Sequence, residues 1–362
     1  MKNKELRDKL LNIEHLVPAV FLLLSILAWQ FSGLSGTFVV NQVITRFIRD
    51  GLLVLSLIVP VVAGMGLNFA IIVGAMTAQT ALLFVINFQV AGARGILLVL
   101  VLAILLSVLV GFTIGHVLNR VKGKEMIVTI VIGFLANSIY QLIFLAGFGS
   151  FIPVVNEEII LSRGIGVRNA VDLGMYRNTI DKLWLLRLGG IEVPLFMILV
   201  VLLFAGMLYY LLHTRFGQQV KAVGSSSEKA EIAGINVDLL RIKVIVLSTV
   251  LAALGQLVYL QNIGMFDVYT AHMNVDIISC AALLAGGASI KSAKIRHALI
   301  GIFLFHTLFI VSPQAGQNLF HNAALGEYFR SFVAYGTIAF ALVMNIKSED
   351  KSQEPGQRGG LR

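Results

Sequence analysis

From Ile96 to Leu118 the chain runs without a single Asp, Glu, Lys or Arg. A helix over such a stretch reaches across the hydrocarbon of a bilayer, and nothing so uniformly apolar suits the surface of a water-soluble domain. The pattern recurs along the sequence, so lipid is the solvent that the chain must satisfy. Composition agrees: 57% of the 362 residues are hydrophobic and 13% charged, with a mean hydropathy of +0.88, whereas soluble domains carry about a quarter charged residues. The net charge of +9 does not indicate nucleic acid. Its basic residues sit in short groups between apolar runs rather than along one face.

The sequence predicts an all-α polytopic membrane protein of about ten transmembrane helices, over 16–34, 51–65, 66–87, 96–118, 126–147, 193–213, 242–263, 274–290, 298–313 and 328–346. An N-terminal tail (1–15), a transmembrane domain (16–346) and a C-terminal tail (347–362) follow, with both termini cytoplasmic. The last tail is polar and Gly-rich and reads as disordered. In this orientation 19 of the 28 Lys and Arg face the cytoplasm, and five of the other nine lie in one long loop, as the positive-inside rule requires. Lys2, Lys4, Arg7 and Lys9 precede an apolar stretch as in a secretory signal. No small-x-small cleavage site follows, so the segment is expected to stay as the first helix.

Two glycines in Ala63-Gly64-Met65-Gly66-Leu67-Asn68 predict a broken helix near 63–68. Unwound backbone at membrane depth survives where protein or a water-filled path satisfies it, which makes this segment a candidate for pore lining; a simple tight turn between two helices is the alternative. Segment 148–192 reads as an extracytoplasmic loop with an interfacial helix around Ile180 to Leu188, a place to meet a partner. Ten spans divide into two sets of five of opposite orientation, although no internal sequence match supports a repeat. The lone Cys280 excludes an internal disulfide and a thiolate metal site. Gly111 and Gly115 have the G-x-x-x-G spacing of close helix packing.

Ion-coupled carriers hold charge inside the bilayer, and these spans carry almost none. Asp276 suits a helix start, where a carboxylate meets the positive end of the dipole; His306 suits a packed interior, and His116 and His213 lie near cytoplasmic ends. No stretch matches G-x-x-x-x-G-K-[ST], so the chain supplies no phosphate-binding loop. Energy from ATP would need a separate subunit and a docking surface. The cytoplasmic loop 214–241 offers one: Ser225 and Glu228 have capping-box spacing, Ala230, Ile232 and Ala233 follow, and Gly234 can end a short helix.

The run TRFGQQVKAVGSSSEKAEIAGI at 214–235 resembles the cytoplasmic coupling loop of the permease subunits of ABC importers for ribose and other simple sugars, nucleosides and branched-chain amino acids. Phe216, Gly217, Ala222, Gly224, Ala230, Gly234 and Ile235 fall on its pattern, and Glu228 lies in the same helix. Gly66-Leu67-Asn68-Phe69-Ala70, Glu125-Met126-Ile127-Val128-Thr129 and Leu284-Ala285-Gly286-Gly287-Ala288-Ser289 extend the resemblance to roughly residues 50–346. Asn68 replaces a usual acidic residue, and Lys291-Ser292-Ala293-Lys294 stands where glycines are expected.

The resemblance implies a multi-pass protein of the bacterial inner membrane. It implies a second permease (an identical copy or a sister), cytoplasmic ATPases using ATP and Mg, and an extracytoplasmic solute-binding protein, with no cofactor, metal or catalysis in this chain. Candidates for the pathway are uncharged mid-helix residues suited to an uncharged, hydroxylated solute: Asn68, Thr77, Gln79, Thr80, Asn137, Tyr140, Gln141, Gln256 and Tyr259. Each also has a reading as interhelical packing. A simple sugar is the leading cargo, a nucleoside or branched-chain amino acid the alternative. From another class, an ion-coupled carrier would use Asp276 and His306.

Overall fold

The computed structural model describes residues 13–90, 92–176, 180, 183–322, 324–332, 335–336, 338–340 and 343. The predicted C-terminal tail, the first twelve residues and part of the span 328–346 lie outside the described residues. The chain divides into two compact units, Met1–Val43 with Cys280–Arg362, and Ile44–Ser279.

In the first unit α1 (Ile13–Ser32) lies along α12 (Ile295–Phe320). Asn318 donates to the carbonyls of Phe31 and Ser32 at 3.0 Å, and at the other end Glu14 pairs with Lys294 at 2.7 Å and Arg296 at 2.9 Å. Val39 and Val43, one helical turn apart on α2 (Gly36–Ser56), are buried with Val311. Helix α11 (Val275–Ala285) stops at Gly286 and Gly287. Gly287 takes φ +91°, and a Cβ there would lie 2.5 Å from the Glu14 carbonyl oxygen.

The second unit is built on α4 (Ile71–Asn87), α5 (Gly92–Asn119) and α10 (Val237–Ile263). Ala103, Ser107, Gly111 and Gly115 recur every fourth residue and are all buried on α5. A Cβ on Gly111 would come within 2.9 Å of the Val246 Cα, and one on Gly115 within 2.9 Å of the Ile242 Cα. The small residues therefore let the α5 and α10 backbones touch, the favoured way to join helices where lipid removes the hydrophobic drive. The opposite face of α5 shows Leu97, Leu105, Leu109 and Phe112 outward, and α6 (Glu125–Leu142) shows Ile127, Val131 and Phe134. Lipid chains match such a surface; water does not.

Among the described residues four helices are long and apolar enough to cross a membrane: Glu14–Ser32, Gly92–Asn119, Glu125–Gly147 and Ile295–Phe320. The pair α7 (Leu195–Leu211) and α8 (Arg215–Ser225), bent by 73°, can count as a fifth. Helices α4 and α11 are apolar but shorter.

Several boundaries depart from the sequence expectation. The span expected to begin at 51 belongs to a helix that starts at Gly36, since Val39, Val43 and Phe47 give residues 36–50 a buried stripe of their own. It ends at Ser56, a turn at Leu57 follows, and α3 covers only Ile58–Val62. Ala63 to Ala70 is then non-helical, with Gly64 at φ +74° and Gly66 at φ +73°. Where a helix is expected around Ile180 to Leu188, strands β2 (Leu185–Leu188) and β3 (Ile191–Pro194) form a hairpin. Gly189 and Gly190 both have positive φ, and a two-residue turn of that kind fits the twist of paired strands. Strand β1 (Ala170–Asp172) pairs with β4 (Met265–Asp267), so the long loop is stitched to the segment that follows α10.

Candidate functional site: a buried polar hub and a cytoplasmic helix pair

The non-helical stretch after α10 carries His272, fully buried within the second unit. Its Nδ1 lies 2.9 Å from Gln79 Oε1 and its Nε2 2.8 Å from Asn137 Oδ1. The Tyr140 ring meets the imidazole edge to face at 5.0 Å and leans on Phe144 at 4.5 Å. Gln256 donates to the carbonyl of Ala271 at 3.2 Å. Helices α4, α6 and α10 thus each send an uncharged polar side chain to one loop. Past Tyr140, α6 widens into a single π turn over Ile143–Gly147, a distortion frequent at functional sites.

A buried neutral imidazole donates from one nitrogen only, so one of the two amides meets it through its NH2 group. Whichever amide turns, one end of Gln79 is left over. Three buried polar atoms at the hub have no hydrogen-bond partner among the described residues: Gln79 Nε2, Gln256 Oε1 and the Tyr140 hydroxyl. Each costs about 1–3 kcal/mol when left unpaired, a large sum beside a net stability of about 5–15 kcal/mol.

Of the nine pathway candidates, Gln79, Asn137, Tyr140 and Gln256 converge here, and Gln141 donates to Asn137 at 3.3 Å. Asn68 instead closes the break, accepting from the Ala70 N–H at 3.1 Å and donating to Ser248 at 3.0 Å. Thr77 and Thr80 return their hydroxyls to the carbonyls of Gly74 and Met76 on their own helix. Tyr259 stands apart, under the Arg49 guanidinium at 5.9 Å. The sequence does not single out His272. Its only local signal is an uncharged T-A-H-M-N run between two apolar helices, and its partners are remote in sequence. Of the residues weighed for ion coupling, Asp276 occupies the first turn of α11, and His306 packs between the Phe305 ring at 5.4 Å and the Phe309 ring at 6.2 Å. Among the described residues no group of three or more His, Cys, Asp or Glu could hold a metal ion.

The second feature is the pair α8 and α9 (Ser227–Ile232). The cap of α9 is Ser226, whose hydroxyl accepts from the Lys229 N–H at 3.3 Å, and not the expected Ser225, which is still in α8. Gly217 and Ala230 are buried, Phe216, Ala222 and Ile235 half-buried, and Glu228 and Gly234 exposed. A Cβ on Gly217 would strike the Leu211–Leu212 backbone, so the missing side chain lets α8 pack tightly against the end of α7. Ile232, in contrast, is 82% exposed among polar neighbours. Gly224 packs on the helix break: a Cβ on Gly64 would lie 3.0 Å from the Gly224 Cα, and one on Gly224 would strike the Val62 carbonyl. Lys122 ties the region together through Asp238 at 2.7 Å and Glu231 at 4.0 Å.

Residues 39–342 match the model of the family described as branched-chain amino acid transport system / permease component. The probable ABC transporter permease protein YphD of Escherichia coli (strain K12) is 28% identical over 197 residues, 53% of this chain and 56% of that one. The L-arabinose transport system permease protein AraH of the same strain is 25% identical over 166 residues, 45% and 47% of the two chains. The fructose import permease protein FruG of Bifidobacterium longum (strain NCC 2705) is 26% identical over 284 residues, 77% and 76%. The chain spans about half the length of the first two relatives. No solved structure matches it.

Proposed function

This chain belongs to the branched-chain amino acid transport system / permease component family, and we propose that it is the membrane-spanning permease subunit of a binding-protein-dependent ABC importer for a simple sugar. We assign it no catalysis of its own; ATP and Mg are used by a separate cytoplasmic ATPase, a second permease copy or sister completes the pathway, and a binding protein delivers the solute from outside the bacterial inner membrane. The observation that carries this assignment is the contact between Gly224 and the break at Val62–Gly64. Force received by α8 and α9 passes directly into the unwound backbone that begins α4, the helix bearing Gln79.

On the other side, the β1–β4 pairing and the bond from Tyr269 to the Val167 carbonyl at 2.7 Å join the long loop to the segment carrying His272. A protein docking on that loop could therefore address the hub while the ATPase addresses the break. The predominance of uncharged polar groups at the hub favours a sugar over a charged amino acid.

Co-purification with a cytoplasmic ABC ATPase from the same cells, followed by ATP-driven uptake in liposomes, tests the assignment. Ile232→Asp places a charge in the expected contact and should weaken ATPase assembly at least tenfold, the effect of losing an apolar anchor, with the thermal midpoint unchanged. Wild-type assembly and uptake in this variant count against the docking surface.

A further inference from the structure

We propose that the His272 hub is a solute-reading subsite specific for hydroxyl groups, carried either by a free sugar or by the ribose of a nucleoside. This deepens the permease assignment and rests on it. The hub offers one spare amide group on Gln79, one spare carbonyl oxygen on Gln256 and one hydroxyl on Tyr140, all buried. A hydroxyl both donates and accepts, so adjacent hydroxyls on a ring can satisfy such a mixed set, whereas a carboxylate requires donors and prefers cations. The side chains that meet at His272 are two amides and a phenol, with Gln256 beside it on Ala271. An amino acid with its paired charges finds no counter-charge among them.

The positions are held before a solute arrives. His272 fixes the amides of Gln79 and Asn137, Ala271 fixes Gln256, and the Phe144 and His272 rings fix Tyr140. Preorganised groups cost a passing solute little ordering entropy. Three contacts of neutral character also keep binding weak enough for release, which conduction through a pathway requires.

Tyr140→Phe is the decisive variant, because its hydroxyl bonds none of the described residues and its loss should leave folding intact. The complex of this chain with its ATPase and binding protein is placed in liposomes, and uptake of D-ribose, D-fructose, uridine and leucine is measured at saturating probe. The wild type should carry a hydroxylated probe and not leucine, and sugar against uridine tells which source of hydroxyls is used. Tyr140→Phe should slow uptake of that probe about fivefold to tenfold, the effect of losing one neutral hydrogen bond, with an unchanged thermal midpoint. Gln256→Leu should do likewise or more. Wild-type rates in both variants, or a wild-type complex carrying leucine, overturn the subsite while leaving the permease role intact. A wild-type complex that carries none of the probes overturns the permease assignment and the subsite together.

Discussion

Arg241 and Glu125 are almost completely buried and meet at 2.5 Å, and Arg241 also bonds the Asn119 side chain at 3.0 Å and the Leu118 carbonyl at 3.3 Å. This one guanidinium ties the start of α10 to the end of α5 and the start of α6. A buried ion pair adds little over a matched apolar pair, but removing one partner strands a charge. Arg241→Met should therefore cost about 3–5 kcal/mol, read as a lowered thermal midpoint in detergent, and Glu125→Leu a similar amount. The double variant should recover most of that loss; additive costs would show that the two residues act independently. The sequence makes Glu125 visible as a first-turn acid beside a basic loop, and its family match at 125–129 marks the stretch. It does not reveal Arg241 as the partner, because 116 residues separate them. The same holds for His272, whose contacts to Gln79 and Asn137 span 193 and 135 positions. Polar networks that close only in tertiary structure leave no periodic trace in one chain.

Elements were more legible where glycine dictates local geometry. The break at 63–68 and the α5–α10 contact both follow from residues whose missing Cβ is needed at the site itself. The stretch before Leu188 was harder, because its apolar residues suit a helix as well as a strand, and the positive-φ pair Gly189–Gly190 decides for the hairpin. Glycine also supplies the test of how α8 communicates with the break. Gly224→Ala forces a methyl against the Val62 carbonyl and should destabilise by about 1–3 kcal/mol through overpacking. ATP-driven uptake should fall further than that loss alone explains. Gly206 on α7 has nothing within 4 Å of an added Cβ, so Gly206→Ala should gain about 0.5–1 kcal/mol of helix stability and transport normally. Equal uptake in the two variants would leave the Gly224 contact as packing only.

Across the whole molecule, what drives transport is decided by where charge is absent and where it is cancelled. A carrier coupled to an ion gradient needs a carboxylate that can bind and release its ion within the bilayer. On α2, Asp50 is buried with Arg46 one turn before it and Arg49 adjacent, so opposite charges are gathered on one stretch of helix. Asp276 occupies the first turn of its helix, and His306 is enclosed by aromatic rings. None of these arrangements resembles a vacant ion cage, whereas the exposed Ile232 and the Gly224 contact link the proposed docking surface to the helix break. Asp276→Asn should accordingly retain ATP-driven uptake within about twofold, since a first-turn carboxylate contributes only about 0.3–1 kcal/mol through the helix dipole and the amide keeps its size. Vesicles lacking ATP should take up no solute under either a proton or a sodium gradient. Gradient-driven uptake that disappears in Asp276→Asn would place the power source inside this chain and move it to the ion-coupled carriers.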